Sequence, residues 1–285
     1  MRLAVASGKG GTGKTTVALS LAFVAARSVV YVDCDVEEPN AHIFLQPRIT
    51  SSAEVHIPVP SVDEARCTHC GECAAVCRYG AIASLPSMTL VFKELCHGCG
   101  GCSMACPANA ISESPERIGV VESGPSSVLD NVTLVQGRID VGVPLSPPLI
   151  RSVKEKAGDE ELVILDCPPG TSCPMIAAVK EADYVALVTE PTPFGLHDLS
   201  LAVETLRELG LPFGVVINRS SERDGLIEEF CVATGTEILG RIPDDRRAAE
   251  AYSRGVIPAL EVRRVRQACE RLLARIVAAA GGEPL

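Results

Sequence analysis

A glycine loop near the start of the chain narrows the choice of fold more than any other feature. Gly8-Lys9-Gly10-Gly11-Thr12-Gly13-Lys14-Thr15-Thr16 follows a short apolar run, Arg2–Ala6, and opens a helical stretch over Gly13–Ala26. It fits G-x4-G-K-[ST], with Gly8, Gly13, Lys14 and Thr15 at the fixed places. Glycines let successive N–H groups turn inward around phosphate oxygens, and the following helix adds the positive end of its dipole. In that setting Lys14 is expected to reach the β/γ-phosphates and the Thr15 hydroxyl to ligate Mg2+. Strand, phosphate loop and helix in this order imply a parallel sheet covered by helices.

Outside residues 57–115 the rest of the chain reads the same way. Ser28–Asp33, Leu162–Asp166, Tyr184–Thr189 and Phe213–Asn218 are short, rich in β-branched residues and apolar, as buried parallel strands are. Ser172–Glu181, Gly195–Leu209 and Gly225–Thr234 read as the helices between them. Alternation of this kind predicts an α/β doubly wound, mostly parallel sheet, with functional loops at the carboxyl ends of the strands. Acidic residues outnumber basic ones 36 to 26, a formal charge of −10, which argues against a nucleic-acid or anionic-membrane binder. The longest apolar stretch, Val17–Ala26, is interrupted by Ser20 and is shorter than the roughly 20 residues of a membrane span. With no signal-peptide core at Met1–Gly10, the expected location is cytoplasmic. Residues 262–280 form a helix with Val262, Val265, Cys269, Leu272, Leu273, Ile276 and Val277 on one face. That stripe is expected to pack on the sheet and not on a membrane, because it lacks Trp and Phe anchors.

Residues 57–115 are a different kind of text. Of the 13 cysteines, eight lie between Cys67 and Cys106, and without a secretion signal such clustering points to metal and away from disulfides. Cys67-x2-Cys70-x2-Cys73-x3-Cys77 is followed by Ala81-Ile82; 29 positions later Cys96-x2-Cys99-x2-Cys102-x3-Cys106 is followed by Ala110-Ile111. Matching at one offset marks a duplicated structural unit. Zinc sites pair two CxxC units across a longer gap, so three cysteines at x2-x2 spacing argue for iron–sulfur.

This spacing resembles that of bacterial two-cluster ferredoxins. The resemblance implies that Cys67, Cys70, Cys73 and Cys106 hold one [4Fe–4S] cluster and that Cys96, Cys99, Cys102 and Cys77 hold a second. Pro107 follows the second motif as in those proteins; Arg78 stands in that place after the first. The glycine loop, with Lys9 one residue after its first glycine, resembles the deviant Walker A of the MinD/ParA/nitrogenase-iron-protein superfamily. There the signature lysine contacts nucleotide across a face-to-face dimer. By the same resemblance Asp33-Cys34-Asp35 opens switch I, with Asp35 positioning the attacking water and Asp33 supporting the Mg2+ shell. Asp166 is placed as the Walker B aspartate, ahead of a Pro168-Pro169-Gly170 switch II. Asn218 stands where the superfamily contacts adenine, and Arg241-Ile242-Pro243-Asp244 resembles the loop at the base edge.

Cys34 and Cys167 read as small buried fillers. Cys173 has the offset from its switch aspartate of a cluster ligand in nitrogenase iron protein, but no second matching cysteine accompanies it. The fold class expected is thus an α/β doubly wound P-loop ATPase domain (1–56 and 116–285) with an inserted small α+β ferredoxin domain (57–115). The expected cofactors are ATP/ADP, Mg2+ and two [4Fe–4S] clusters. The expected activity is ATP hydrolysis coupling nucleotide-dependent dimerisation to electron transfer, with an ATP-gated metallocluster carrier or scaffold as the alternative. Partners implied are a second copy or related ATPase and a redox or cluster-accepting protein. A ParA-like positioning role leaves eight cysteines unexplained.

Overall fold

The computed structural model describes residues 1–158 and 160–281. Its strands are β1 (Arg2–Ala6), β2 (Val29–Asp33), β3 (Ser51–Val62), β4 (Ile82–Leu85), β5 (Met88–Val91), β6 (Ile111–Pro125), β7 (Val132–Ile139), β8 (Leu162–Asp166), β9 (Tyr184–Thr189), β10 (Phe213–Ser220) and β11 (Ile238–Pro243). Nine of them form one sheet in the order β11-β10-β9-β1-β8-β2-β7-β6-β3, and β4-β5 is a separate hairpin. From β11 to β7 every neighbouring pair is parallel; β6 and β3 are added antiparallel at one edge.

Alternate residues of the central strands feed two apolar layers. Leu3, Val5, Tyr31 and Ile164 face a layer completed by Val17 and Leu21 of helix Lys14–Val24 and by Leu272, Leu273 and Ile276 of helix Arg263–Ala279. Ala4, Val32, Val163 and Leu165 face the other, filled by Leu149, Ile150 and Val153 of helix Pro147–Lys156, by Met175, and by Leu199 and Leu206. Burial on both faces explains why β8 and β9 are apolar along almost their whole length. The terminal helix buries Val265, Cys269, Leu272, Leu273, Ile276 and Val277, so its stripe is core. Among the described residues no helix is long and apolar enough to cross a membrane.

The register sets the site. Val5 lies beside Asp166 and Asp33 beside Asp166, which gathers the carboxyl ends of β1, β8 and β2. The strand-end rule therefore brings the glycine loop, Asp33, Asp35 and Asp166 to one edge of the sheet.

Strands β3, β6, β7 and β11 add to the five read from the sequence. The positions 57 and 115 lie inside β3 and β6, whose pairing runs from Ser51↔Ser123 to Val62↔Ile111 with one irregularity at Val55/His56. Pro58 sits opposite Pro115 in this ribbon. Proline lacks the N–H a ladder uses, which is tolerable here because β3 is the edge strand and β6 pairs with β7 only from Gly119 onward, leaving both prolines in a two-stranded stretch. The cysteine-rich residues thus sit at the far end of a ribbon continuous with the main sheet.

Candidate nucleotide and cysteine sites

Gly13 enters helix Lys14–Val24 at φ 90°, a conformation open to glycine, and Gly11 has φ 79°. Asn218, at the end of β10, donates its Nδ2 to Thr12 O at 2.7 Å and so fixes the loop from the next layer of strand ends. Gly8 packs against helix Pro193–Glu208 so closely that a Cβ would lie 2.1 Å from Asp198 O. A cavity of about 420 Å3 opens beyond the loop. Gly10, Gly11, Gly13, Lys14, Thr15 and Thr16 line one side of it. Asn218, Arg219, Ile242, Pro243 and Asp244 line another, with Asp35 and Pro169 also at its wall. Its size suits a drug- to nucleotide-sized ligand. Gly8, Lys9, Thr12, Asp33 and Asp166 do not line the cavity. Pro243 ends β11, so the expected base-edge segment is partly strand.

The acidic groups divide the work. Both oxygens of buried Asp33 are used by the loop that follows: Oδ1 accepts from Asp35 N at 3.1 Å, and Oδ2 from Asn40 N and Ala41 N at 3.0 Å each. Asp166 accepts from the Tyr31 hydroxyl at 2.9 Å, the nearby Thr15 side chain helps to lower its carboxyl, and its Oδ1 is buried with no partner. Burial raises the Asp33 carboxyl, the neighbouring Asp166 charge adding to it; burial raises Asp166 as well. Asp35 is pushed up to about 6, mainly by burial, against the lowering effect of Lys14. The unpartnered Asp166 oxygen and the Thr15 hydroxyl offer hard oxygens, the chemistry Mg2+ takes, whereas Asp33, expected in the Mg2+ shell, spends both of its oxygens on backbone N–H groups. The residues present therefore fit a cation between Thr15 and Asp166.

Lys9 turns away from the cavity and pairs with Glu190 of its own chain, Nζ to Oε1 2.6 Å. Glu190, Arg219 and Tyr31 were not singled out by sequence. Glu190 follows β9 directly, so the strand-end rule could have found it; Tyr31 is legible only once β2 and β8 are paired.

The eight clustered cysteines fall into two cavities. Cys67, Cys70, Cys73 and Cys106 line one; Cys77, Cys96, Cys99 and Cys102 line the other. Each draws three thiols from one motif and the fourth from the other. The repeat extends to the backbone. Left-handed residues recur at the same offset: His69 and Gly98 (φ 54° and 63°), Gly71 and Gly100 (82° and 73°), Gly80 and Asn109 (65° and 48°). Helices Glu72–Val76 and Gly101–Ala105 correspond and pack together. Ala81 N and Ala110 N donate to Cys77 Sγ and Cys106 Sγ, each at 3.3 Å. All eight thiols are free of disulfides. Burial raises the Cys73 thiol, with Cys67 and Cys106 adding to it; Cys102 is raised by burial, with Cys96 and Cys99 adding. Mutually repelling thiols with N–H donors aimed at sulfur are a donor set for a soft, positively charged group. Cys34 and Cys167 are buried, while Cys173 is exposed at the start of helix Cys173–Val179.

The sheet order, glycine loop and strand-end aspartates define a P-loop ATPase of the doubly wound kind. The chain belongs to the CobQ/CobB/MinD/ParA nucleotide binding domain family, which it matches over residues 3–259. An uncharacterized protein of Methanocaldococcus jannaschii is 30% identical over 265 residues, 90% of each chain. A protein of Pyrococcus horikoshii named iron-sulfur cluster carrier protein is 24% identical over 278 residues, 90% of this chain and 78% of that one. In fold, the chain is similar to the septum site-determining protein MinD of Pyrococcus horikoshii complexed with Mg-ADP (TM-score 0.60, 22% identity, 98% and 97% of the two chains).

Proposed function

We propose that the chain is an ATPase holding two [4Fe–4S] clusters in residues 62–111, and that nucleotide-dependent dimerisation controls electron transfer through them. The observation carrying this reading is the sorting of eight cysteines into two complete sets of four. A full complement of four thiolates suits a resident cluster, which supplies one-electron chemistry when bound. In the ATPase part, Lys14 and the N–H groups of Gly10–Thr16 hold the phosphates, and Thr15 and Asp166 hold Mg2+. Asp33 keeps the following loop in shape so that Asp35 faces the attacking water. Asn218, Pro243 and Asp244 bound the base, and Lys9 acts on the nucleotide of a second copy.

A second reading is favoured by the names of several relatives: the clusters are cargo, released to an acceptor when ATP binds. One anaerobic experiment separates the two. Protein loaded with iron and sulfide is mixed with an apo-ferredoxin, with and without ATP. Clusters that stay and are reduced and reoxidised reversibly support electron transfer; ATP-dependent movement of the cluster absorbance to the acceptor supports the carrier. Stoichiometric zinc without sulfide would sink both.

A further inference from the structure

We infer that Glu190 is the positioning residue for Lys9: it holds the lysine within its own chain and sets how anionic a partner's nucleotide must be to draw it across. The inference rests on the reading of Lys9 as acting on a second copy.

Glu190 is a fixed post. It follows β9, its carbonyl accepts from Thr192 N at 2.8 Å, and a Cβ on Gly195 would lie only 2.3 Å from that carbonyl oxygen. Its carboxylate carries two cations at once. Oε1 meets Lys9 Nζ at 2.6 Å, and Oε2 accepts from Arg219 NH1 at 2.8 Å. Arg219 also donates through NH2 to Gly11 O at 3.2 Å, and its backbone takes a left-handed φ of 53°. Burial would raise the Glu190 carboxyl, but Lys9 and Arg219 outweigh it, and the group is lowered.

The arrangement has a consequence when Lys9 departs. Arg219 stays on Oε2, so Glu190 is not left as an unpaired, half-buried charge, which would be costly. Release of Lys9 then costs one ion pair of moderate exposure, with side chains 28% and 13% accessible. A triphosphate, carrying more charge than a diphosphate, compensates that loss more fully. Glu190 thereby favours the ATP-bound over the ADP-bound dimer.

The test uses the full chain, with dimer formation followed by sedimentation across protein concentration in Mg-ATP and Mg-ADP. Glu190→Gln should lower the dimer midpoint in ATP roughly 25-fold, because each of the two chains releases a pair of about 1 kcal/mol, a factor of about five apiece. It should also allow dimers in ADP, while KM for ATP stays within about twofold. Lys9→Ala should lose the dimer, and the double variant should behave as Lys9→Ala. If Lys9→Ala loses the dimer but Glu190→Gln dimerises no better than the parent, the positioning role is wrong and the reading of Lys9 stands. If Lys9→Ala dimerises and turns over normally, the reading of Lys9 itself fails. Should Glu190→Gln disturb nucleotide binding, Glu190→Asp decides: it keeps the charge for Arg219 but is one methylene shorter. It must still lower the dimer midpoint, and an unchanged midpoint overturns the inference.

Discussion

Gly13→Ala probes the link between backbone conformation and the nucleotide site most directly. Gly13 stands at φ 90°, and an added Cβ would lie 2.2 Å from Asn218 Nδ2, an atom that already donates to Thr12 O at 2.7 Å. Two costs add. The left-handed backbone costs alanine about 1–2 kcal/mol. Displacing Asn218, which is 6% exposed, leaves a buried carbonyl and a buried amide without each other, about 1–3 kcal/mol. The sum is roughly 2–5 kcal/mol of folding stability, together with loss of nucleotide affinity as the loop shifts. Urea unfolding gives the first quantity and equilibrium nucleotide titration the second. The decisive arm is the double-mutant cycle: in an Asn218→Ala background the clash is gone, so Gly13→Ala should cost only the backbone part. Gly10, where a Cβ meets nothing within 4 Å, is the internal control, and Gly10→Ala should leave stability within about 0.5 kcal/mol. Equal costs for Gly13→Ala in both backgrounds, or a cost no larger than that of Gly10→Ala, would refute the reasoning.

The pH dependence of turnover should carry a limb belonging to Asp35. Its carboxyl is raised to about 6, so kcat/KM should fall as pH drops through that value and the group takes up a proton. The sign for stability is opposite: a raised carboxyl disfavours the ionised form in the folded chain, so the nucleotide-free protein gains stability as pH falls from above 6 toward 3.8. Asp35→Asn should remove both effects, and a limb that survives in Asp35→Asn belongs to another group. For the cysteines, the crossed grouping makes paired substitutions diagnostic. Cys67→Ser with Cys106→Ser should leave about four iron atoms of eight, since both serve one site, whereas Cys67→Ser with Cys77→Ser should remove both clusters. Iron and sulfide analysis giving the reverse pattern would mean that each motif closes its own site.

The sequence was most legible where chemistry and local structure coincide. Arg2–Ala6, Leu162–Asp166 and Tyr184–Thr189 are apolar runs that end in a loop or an acidic residue, and burial on both faces of a parallel sheet requires that composition. The cysteine grouping was legible for a similar reason, since the repeat repeats its turns. The β3–β6 ribbon was not. Its prolines argue against a strand, and its outer stretch is held by exposed pairs such as Arg117–Glu54 and Lys93–Glu116, which read as loop text. Only its place at the edge makes that composition compatible with pairing. Glu190 carries no sequence signal of its own, since one acid after a strand is common; its meaning comes from Lys9 and Arg219, which lie 181 and 29 positions away.

That ribbon bears on how nucleotide state reaches the cysteine sites under the function proposed above. Val36, just after Asp35, accepts a hydrogen bond from Ile139 N at 3.0 Å, and Asp140 N donates to Ile118 O at 2.9 Å, tying the switch loop to β7 and β6. Packing there is tight: a Cβ on Gly137 would lie 2.6 Å from both Val36 Cγ1 and Val153 Cγ2. Val153 belongs to helix Pro147–Lys156, and the same buried layer continues through Leu149 and Ile150 to Ile57, Ala81 and Cys96. On its other side that helix brings Arg151 close enough to His97 to help lower the imidazole, after burial, and His97 stacks on Tyr79 at 3.5 Å beside the Cys77–Cys102 cavity. Close-packed layers transmit a shift instead of absorbing it. The loop that carries Asp35 is packed against β7, and β7 pairs with β6 from Gly119↔Ile139 to Pro125↔Thr133, at the root of the ribbon. Under the proposed function a change in that loop is expected to reach the cysteine unit through β7 and β6, so ADP and a γ-phosphate analogue should give different rates of cluster reduction; identical rates in both states would refute the coupling.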